Sequence, residues 1–222
     1  MHHSHQISAK ALAAVLALAF AGCATTRPVA YQNLASSSQL AANASADSDR
    51  IPYEYAADVN WGDYGTVLLE PVVIYRGRDN QFEKVSEAEK KELAGYTQEQ
   101  FLHKLQSSRL QFARDPQGRT LRIRITLTGA RPTAKVLGTA MRFDLAGGTY
   151  NIVQSARGKE GAFTGSVSYA VEIYDAASGQ LLCAYVGKQY PNAMNVKATF
   201  GRLDAAKVGI GKAAADLVAR LN

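Results

Sequence analysis

Residues 165 to 190 read GSVSYAVEIYDAASGQLLCAYVGKQY. Val167, Tyr169, Val171 and Ile173 alternate with Ser168, Ala170, Glu172 and Tyr174. That period of two is the signature of a strand with one face turned to a core. Asp175 to Gly179 forms a five-residue turn in which glycine supplies the left-handed position, and residues 180 to 190 return as the next strand. The stretch is therefore an antiparallel hairpin, around which the other elements must be arranged.

Working outward, residues 120 to 128 also alternate. Leu121, Ile123, Ile125 and Leu127 mark one face, and Arg122, Arg124, Thr126 and Thr128 the other. Residues 66 to 75 (TVLLEPVVIY) are dense in β-branched and aliphatic side chains and read as a strand, with Pro71 placing its outer half at an edge or bend. Ser86 and Glu89 have capping-box spacing, and a helix from there to about Ser107 would bury Leu93, Ala94, Phe101, Leu102 and Leu105. At the C-terminus Leu203, Ala206, Ile210, Ala214, Leu217 and Leu221 recur every three or four residues, so a helix from about 203 to 221 closes the domain. Gly209 and Gly211 within it point to close packing on the sheet. The expected fold class is α+β in two layers. About four strands form a mainly antiparallel sheet, two helices pack on one face, and the order is β-α-β-insert-β-β-α, with the other face left polar.

The 222 residues are 47% hydrophobic and 20% charged, which fits one globular domain with appendages and excludes a fibrous or wholly disordered chain. A formal charge of +6 suits an anionic surface nearby without calling for nucleic acid. Two cysteines cannot form a disulfide scaffold. Three of the four histidines, His2, His3 and His5, crowd the N-terminus, which leaves histidine-based chemistry only His103.

Residues 1 to 10 are polar with one cation, Lys10, and residues 11 to 21 (ALAAVLALAFA) are uncharged and apolar. These are the two leading regions of a signal peptide. At 1.5 Å per residue, a run of about 11 spans roughly half of the ~30 Å hydrocarbon layer. The run ends in Ala19-Phe20-Ala21-Gly22-Cys23, which resembles the lipobox of bacterial lipoproteins, with Phe20 where Leu is usual. That resemblance implies cleavage after residue 22, acylation of Cys23 with palmitate-type chains, and anchoring by lipid. Ala19-Phe20-Ala21 also fits an ordinary signal-peptidase site, which would give a soluble chain beginning at Gly22. Ala24, rather than aspartate, after the cysteine implies the outer membrane of a Gram-negative cell, facing the periplasm. Residues 24 to 50 are rich in Ala, Ser, Thr and Asn without sustained periodicity, so residues 23 to 50 are expected to be the acylated cysteine and a flexible tether. As a coil of 27 residues it would reach roughly 30 Å. The single folded domain is then 51 to 222.

Trp61-Gly-Asp-Tyr64 leading into Val67-Leu-Leu-Glu-Pro71-Val72, the strand at 121 to 127, the Asp175 to Gly179 turn and the last helix together resemble a bacterial lipoprotein family catalogued as domain of unknown function 3313. The likeness covers about residues 53 to 221 together with the lipobox. It implies an envelope lipoprotein without an established activity, and it brings no catalytic residues with it.

The candidate chemistry is sparse. Cys183 lies on a strand among apolar neighbours and reads as a buried, inert thiol. Glu87 with Glu89, and Glu83 with Glu92, lie at or near a helix start, where carboxylates stabilise the helix. Nothing has the spacing of a metal or nucleotide site, so the chain calls for no catalytic residue, metal or cofactor.

Two features remain. Arg122 and Arg124, with Arg119 and Arg131 at the strand ends, form a candidate anion-binding stripe, or else pair with Glu172. Residues 130 to 164 carry Val136, Leu137, Met141, Phe143 and Leu145 among glycines. They are either a surface for a partner or lipid, or a short helix at 134 to 145 and a strand at 149 to 155. The main expectation is a non-enzymatic interaction module that meets the membrane through its acyl chains and an unidentified envelope protein through its surface, with no nucleic acid partner. The alternative is a lipid- or glycan-binding accessory subunit of an envelope transport system, with its cleft beside the basic sheet face.

Overall fold

The computed structural model describes residues 26–115, 118–133, 153–155, 160, 165–192, 195 and 201–222. The hairpin stands as read. Strand β8 (Ser166–Asp175) pairs antiparallel with β9 (Leu181–Gln189), and Gly179 takes φ 71° in the turn. Asp175 Oδ1 accepts from the Ala177 and Ser178 amides at 3.1 and 2.8 Å, which closes the turn. Strand β7 (Thr120–Arg131) pairs antiparallel with β8 along its whole length.

The expectation of four mainly antiparallel strands is overturned. The described residues form a nine-stranded mixed sheet in the order β1-β2-β9-β8-β7-β3-β6, with β4 and β5 also on β7. β1 (Ala41–Ala42) and β2 (Tyr53–Ala56) extend the antiparallel half beyond β9. On the other side, β3 (Thr66–Leu69), β4 (Val73–Ile74) and β5 (Gln81–Phe82) lie end to end along β7, all parallel to it. β6 (Gln111–Phe112) pairs parallel with β3. The run 66 to 75, expected as one strand, is divided into β3 and β4, whereas β1, β2, β5 and β6 are too short to complete a hydrophobic period and periodicity does not reveal them. Pro71, which has no amide hydrogen, falls in the break between β3 and β4. The chain is back on the ladder from Val73, and the Tyr75 amide donates to the Leu127 carbonyl at 2.9 Å.

Both long helices fall where the sequence puts them. In α1 (Glu87–Gln106) the Ser86 hydroxyl accepts from the Glu89 amide at 3.2 Å, and Glu89 Oε2 accepts from the Ser86 amide at 2.8 Å. Leu93, Phe101 and Leu105 are buried, Ala94 is half-buried, and Leu102 stays exposed. α2 (Asp204–Leu221) buries Ile210, Ala214, Leu217 and Leu221 in one core with Ile123, Ile125, Val171 and Ile173. A Cβ on Gly209 would sit 2.9 Å from the Gln189 carbonyl oxygen, whereas one on Gly211 would meet nothing within 4 Å. A 3-10 turn at Trp61–Asp63 precedes β3.

The second sheet face is not open. Residues 26 to 40, expected to be part of a tether, run down it, and Tyr31 is 2% exposed. Its ring meets that of Tyr75 edge-on at 5.2 Å, and its hydroxyl donates to Gln81 Oε1 at 2.9 Å. The Gln32 amide donates to Asp79 and the Ser36 amide to Glu172. Composition misses this because three apolar anchors, Tyr31, Leu34 and Leu40, share the work with hydrogen bonds supplied by distant acids. Residues 153 to 155 are helical, not part of a strand. Among the described residues no helix is long and apolar enough to cross a membrane.

Candidate functional site

Glu70 follows β3 immediately before Pro71 and is the lone charge in TVLLEPVVIY. In the parallel register Leu68 and Leu69 lie beside Arg122 and Ile123, so the next residue emerges beside the second-face arginines of β7. Glu70 Oε1 accepts from Arg122 at 2.7 Å, and Oε2 accepts from Arg124 Nε at 2.7 Å. Burial opposes ionisation of Glu70, but Arg124 and then Arg122 outweigh it and hold the carboxyl below its usual range. The Arg122 guanidinium also lies 4.4 Å from the Tyr174 ring centre. Burial, followed by the nearby Glu172 charge, pushes the Tyr174 hydroxyl up to about 12.

Glu172 stands opposite Arg124 in the β7–β8 register, and its carboxylate accepts from the Ser36 amide. Beside this fork opens a solvent-accessible cleft of about 640 Å³. Asn33, Leu34 and Ala35 form one wall, Pro71, Val73, Ile74 and Tyr75 another, and Glu70, Arg124, Thr126 and Glu172 supply the polar lining. Val73 is exposed there. Residue type and spacing located Arg124 and Glu172, whereas Glu70, Tyr75 and the Asn33 to Ala35 wall escaped the sequence reading. The one available signal was an isolated carboxylate before proline inside an apolar run.

The four arginines of the candidate stripe divide into three settings. Arg122 and Arg124 share Glu70, so the principal partner is not the Glu172 that strand alternation nominates. Arg119, largely exposed, lies 3.5 Å from Asp63. Arg131 pairs with the buried Glu160 at the other end of β7. Glu160 also accepts from Lys188 Nζ at 2.7 Å, and burial lowers the Lys188 pKa. The shift in register between Leu127 and Gly129 sets Gly129 and Arg131 opposite Ser168 and Ser166, which turns Arg131 to the same face as Arg124 despite its odd spacing.

Cys183 is buried, and desolvation pushes its thiol up to about 11. His103 stands on the exposed side of α1. Glu87 pairs with Arg76 and Lys90, Glu89 with Ser86 and Arg202, and Glu92 with Lys207, while Glu83 accepts from the Thr26 hydroxyl. These acids are engaged in structure. Among the described residues no group of three or more His, Cys, Asp or Glu is placed to hold a metal ion. Cys23, Val136, Leu137, Met141, Phe143 and Leu145 lie outside the described residues.

A family model described as "Protein of unknown function (DUF3313)" matches residues 30–217. The chain belongs to that family. The match begins within the segment that packs on the second sheet face, upstream of residue 53, where the sequence resemblance starts. No curated protein matches. Among solved structures, the chain is similar to the dodecamer of a Leu-to-Met variant of PelC from Paraburkholderia phytofirmans in space group C2. The TM-score is 0.39 and the identity 11%, covering 75% of this chain and 95% of that one. The PelC dodecamer from the same organism in space group P6 gives 0.38 and 10%, covering 74% and 94%.

Proposed function

We propose that this protein is an acyl-anchored, non-enzymatic accessory protein of the Gram-negative envelope that binds a glycan in the cleft beside Arg122 and Arg124. The observation that carries the reading is the lining of that cleft. The partly exposed Glu70 and Arg124 offer an acceptor and a donor to vicinal hydroxyls, while Pro71 and Val73 offer apolar surface to the C–H face of a sugar ring. An open cleft with a charged fork suits a polyhydroxylated ligand better than an acyl chain, which needs an enclosed apolar channel. Cys23 at the end of the apolar leader supports lipid anchoring, and Ala24 supports the outer membrane, facing the periplasm.

The test is calorimetric titration of the intact mature protein with neutral oligosaccharides released from a Gram-negative envelope. Saturable binding is expected, weakened at least tenfold in Glu70→Gln and Arg124→Gln proteins whose circular dichroism is unchanged. Absence of binding across the panel, or equal binding by both variants, overturns the reading. The apolar residues between 136 and 145 favour a second reading, a surface for an envelope protein. Deleting 135 to 157 should then abolish co-purification of a partner and leave the fold intact.

A further inference from the structure

We infer that the domain stands directly on the bilayer, with the end of the sheet that holds Thr26 facing the lipid. The inference rests on the proposed acylation of Cys23. Only two residues, Ala24 and Thr25, separate Cys23 from Thr26, so three Cα steps give a reach of at most about 11 Å. Thr26 belongs to the folded body. Its hydroxyl donates to Glu83 Oε1 at 2.7 Å, and its carbonyl accepts from Lys188 Nζ at 2.8 Å.

Both partners mark one end of the sheet. The Glu83 amide donates to the Ala130 carbonyl near the end of β7, and Lys188 is the penultimate residue of β9. The next residue is held too, because the Arg27 carbonyl accepts from Gln81 Nε2 at 2.9 Å. The 12 residues of β7 are about 40 Å long, nearly four times the leash. An anchor on so short a leash cannot let the far end of the domain, at the Asp175 to Gly179 turn, exchange places with the near end. β7 ends and β8 begins at the lipid-facing end, so both stems of the 132 to 165 connection rise from it. Arg124 lies seven residues before Arg131, which holds the charged fork of the cleft roughly 23 Å from the membrane-facing end. The cleft therefore opens sideways into the periplasm and not onto headgroups.

The test uses the acylated full-length mature protein, purified from bacterial membranes and reconstituted in phosphatidylethanolamine–phosphatidylglycerol vesicles containing headgroup-nitroxide lipid. A fluorophore is placed at Lys84→Cys or at Ala177→Cys; both positions are exposed, and Cys183 is buried from the label. Quenching at position 84 should exceed that at 177 at least threefold, and inserting twenty Gly/Ser residues between Ala24 and Thr25 should remove the difference. Equal quenching at the two positions in protein that floats with vesicles and carries acyl mass overturns the orientation while leaving the anchoring intact. A bare Cys23 sulfur in intact-mass analysis, with no flotation, overturns the anchoring and the orientation together.

Discussion

The backbone amide of Ser36 donates to the Glu172 carboxylate at 2.7 Å across 136 positions of sequence, and both residues are 1% exposed. A strand acid that alternation assigns to an open face is thus the buried acceptor that ties the N-terminal segment down. Glu172→Ala removes a charge-assisted bond and orphans a buried donor, and should cost about 2–3 kcal/mol. Urea denaturation measures the loss, and hydrogen exchange at the Ser36 amide should accelerate to a greater extent than at the amides of β8.

Tyr31 separates a tether from a structural strap. Replacing a side chain in a tether changes stability by less than about 0.5 kcal/mol, whereas truncating a buried aromatic costs about 3 kcal/mol or more. Tyr31→Ala should shift the denaturation midpoint accordingly. Tyr31→Phe, which keeps the ring and loses the hydroxyl's bond to Gln81, should cost about 1 kcal/mol.

Glu70 occupies the position an anion would take between Arg122 and Arg124. Glu70→Gln should therefore create a measurable site for pyrophosphate by calorimetry where the parent protein has none. The Arg122→Gln, Arg124→Gln double variant should abolish that site. It should also flatten the acid limb of the stability curve. The folded-state pKa of Glu70 is lowered, so its contribution is present above the ordinary carboxylate range and lost as pH falls through the depressed value.

Glu89 offers a cleaner pH test. Arg202, then the Ser86 amide, hold its carboxyl at about 2 against an ordinary 4.5. Stability from this ion pair is fully present above pH 4.5 and disappears as pH falls toward 2. Glu89→Gln keeps a residue able to complete the capping box, so it should be less stable than the parent by about 0.5–1 kcal/mol at pH 7 and equal to it near pH 2. Paired thermal melts across that range check the convergence.

The two glycines of α2 should respond in opposite directions. Gly209→Ala presses a methyl group to within 2.9 Å of both the Gln189 carbonyl oxygen and Val167 Cγ1 and should destabilise by about 1–3 kcal/mol. Gly211→Ala has open space and should stabilise by about 0.5–1 kcal/mol. Denaturation midpoints of the two single variants decide it.

Sequence alone was sufficient for β7, the β8–β9 hairpin, the capping box of α1 and the apolar face of α2. Each is a local pattern, repeated over enough residues for periodicity to declare it or marked by a cap. The assignment of the four arginines to neighbours was not legible in this way. Glu70 reaches Arg122 and Arg124 only because a four-residue strand lies parallel to β7 in one register, and such pairing leaves no mark in either segment. The second face shows the same limit. Ser, Ala, Glu and Tyr on β8 look like residues meant for water. They are buried because a low-hydrophobicity segment more than a hundred residues upstream supplies a few anchors and backbone donors that only close approach can pair. Burial of a polar group is decided by whether a partner arrives, and partners distant in sequence arrive only through the tertiary fold.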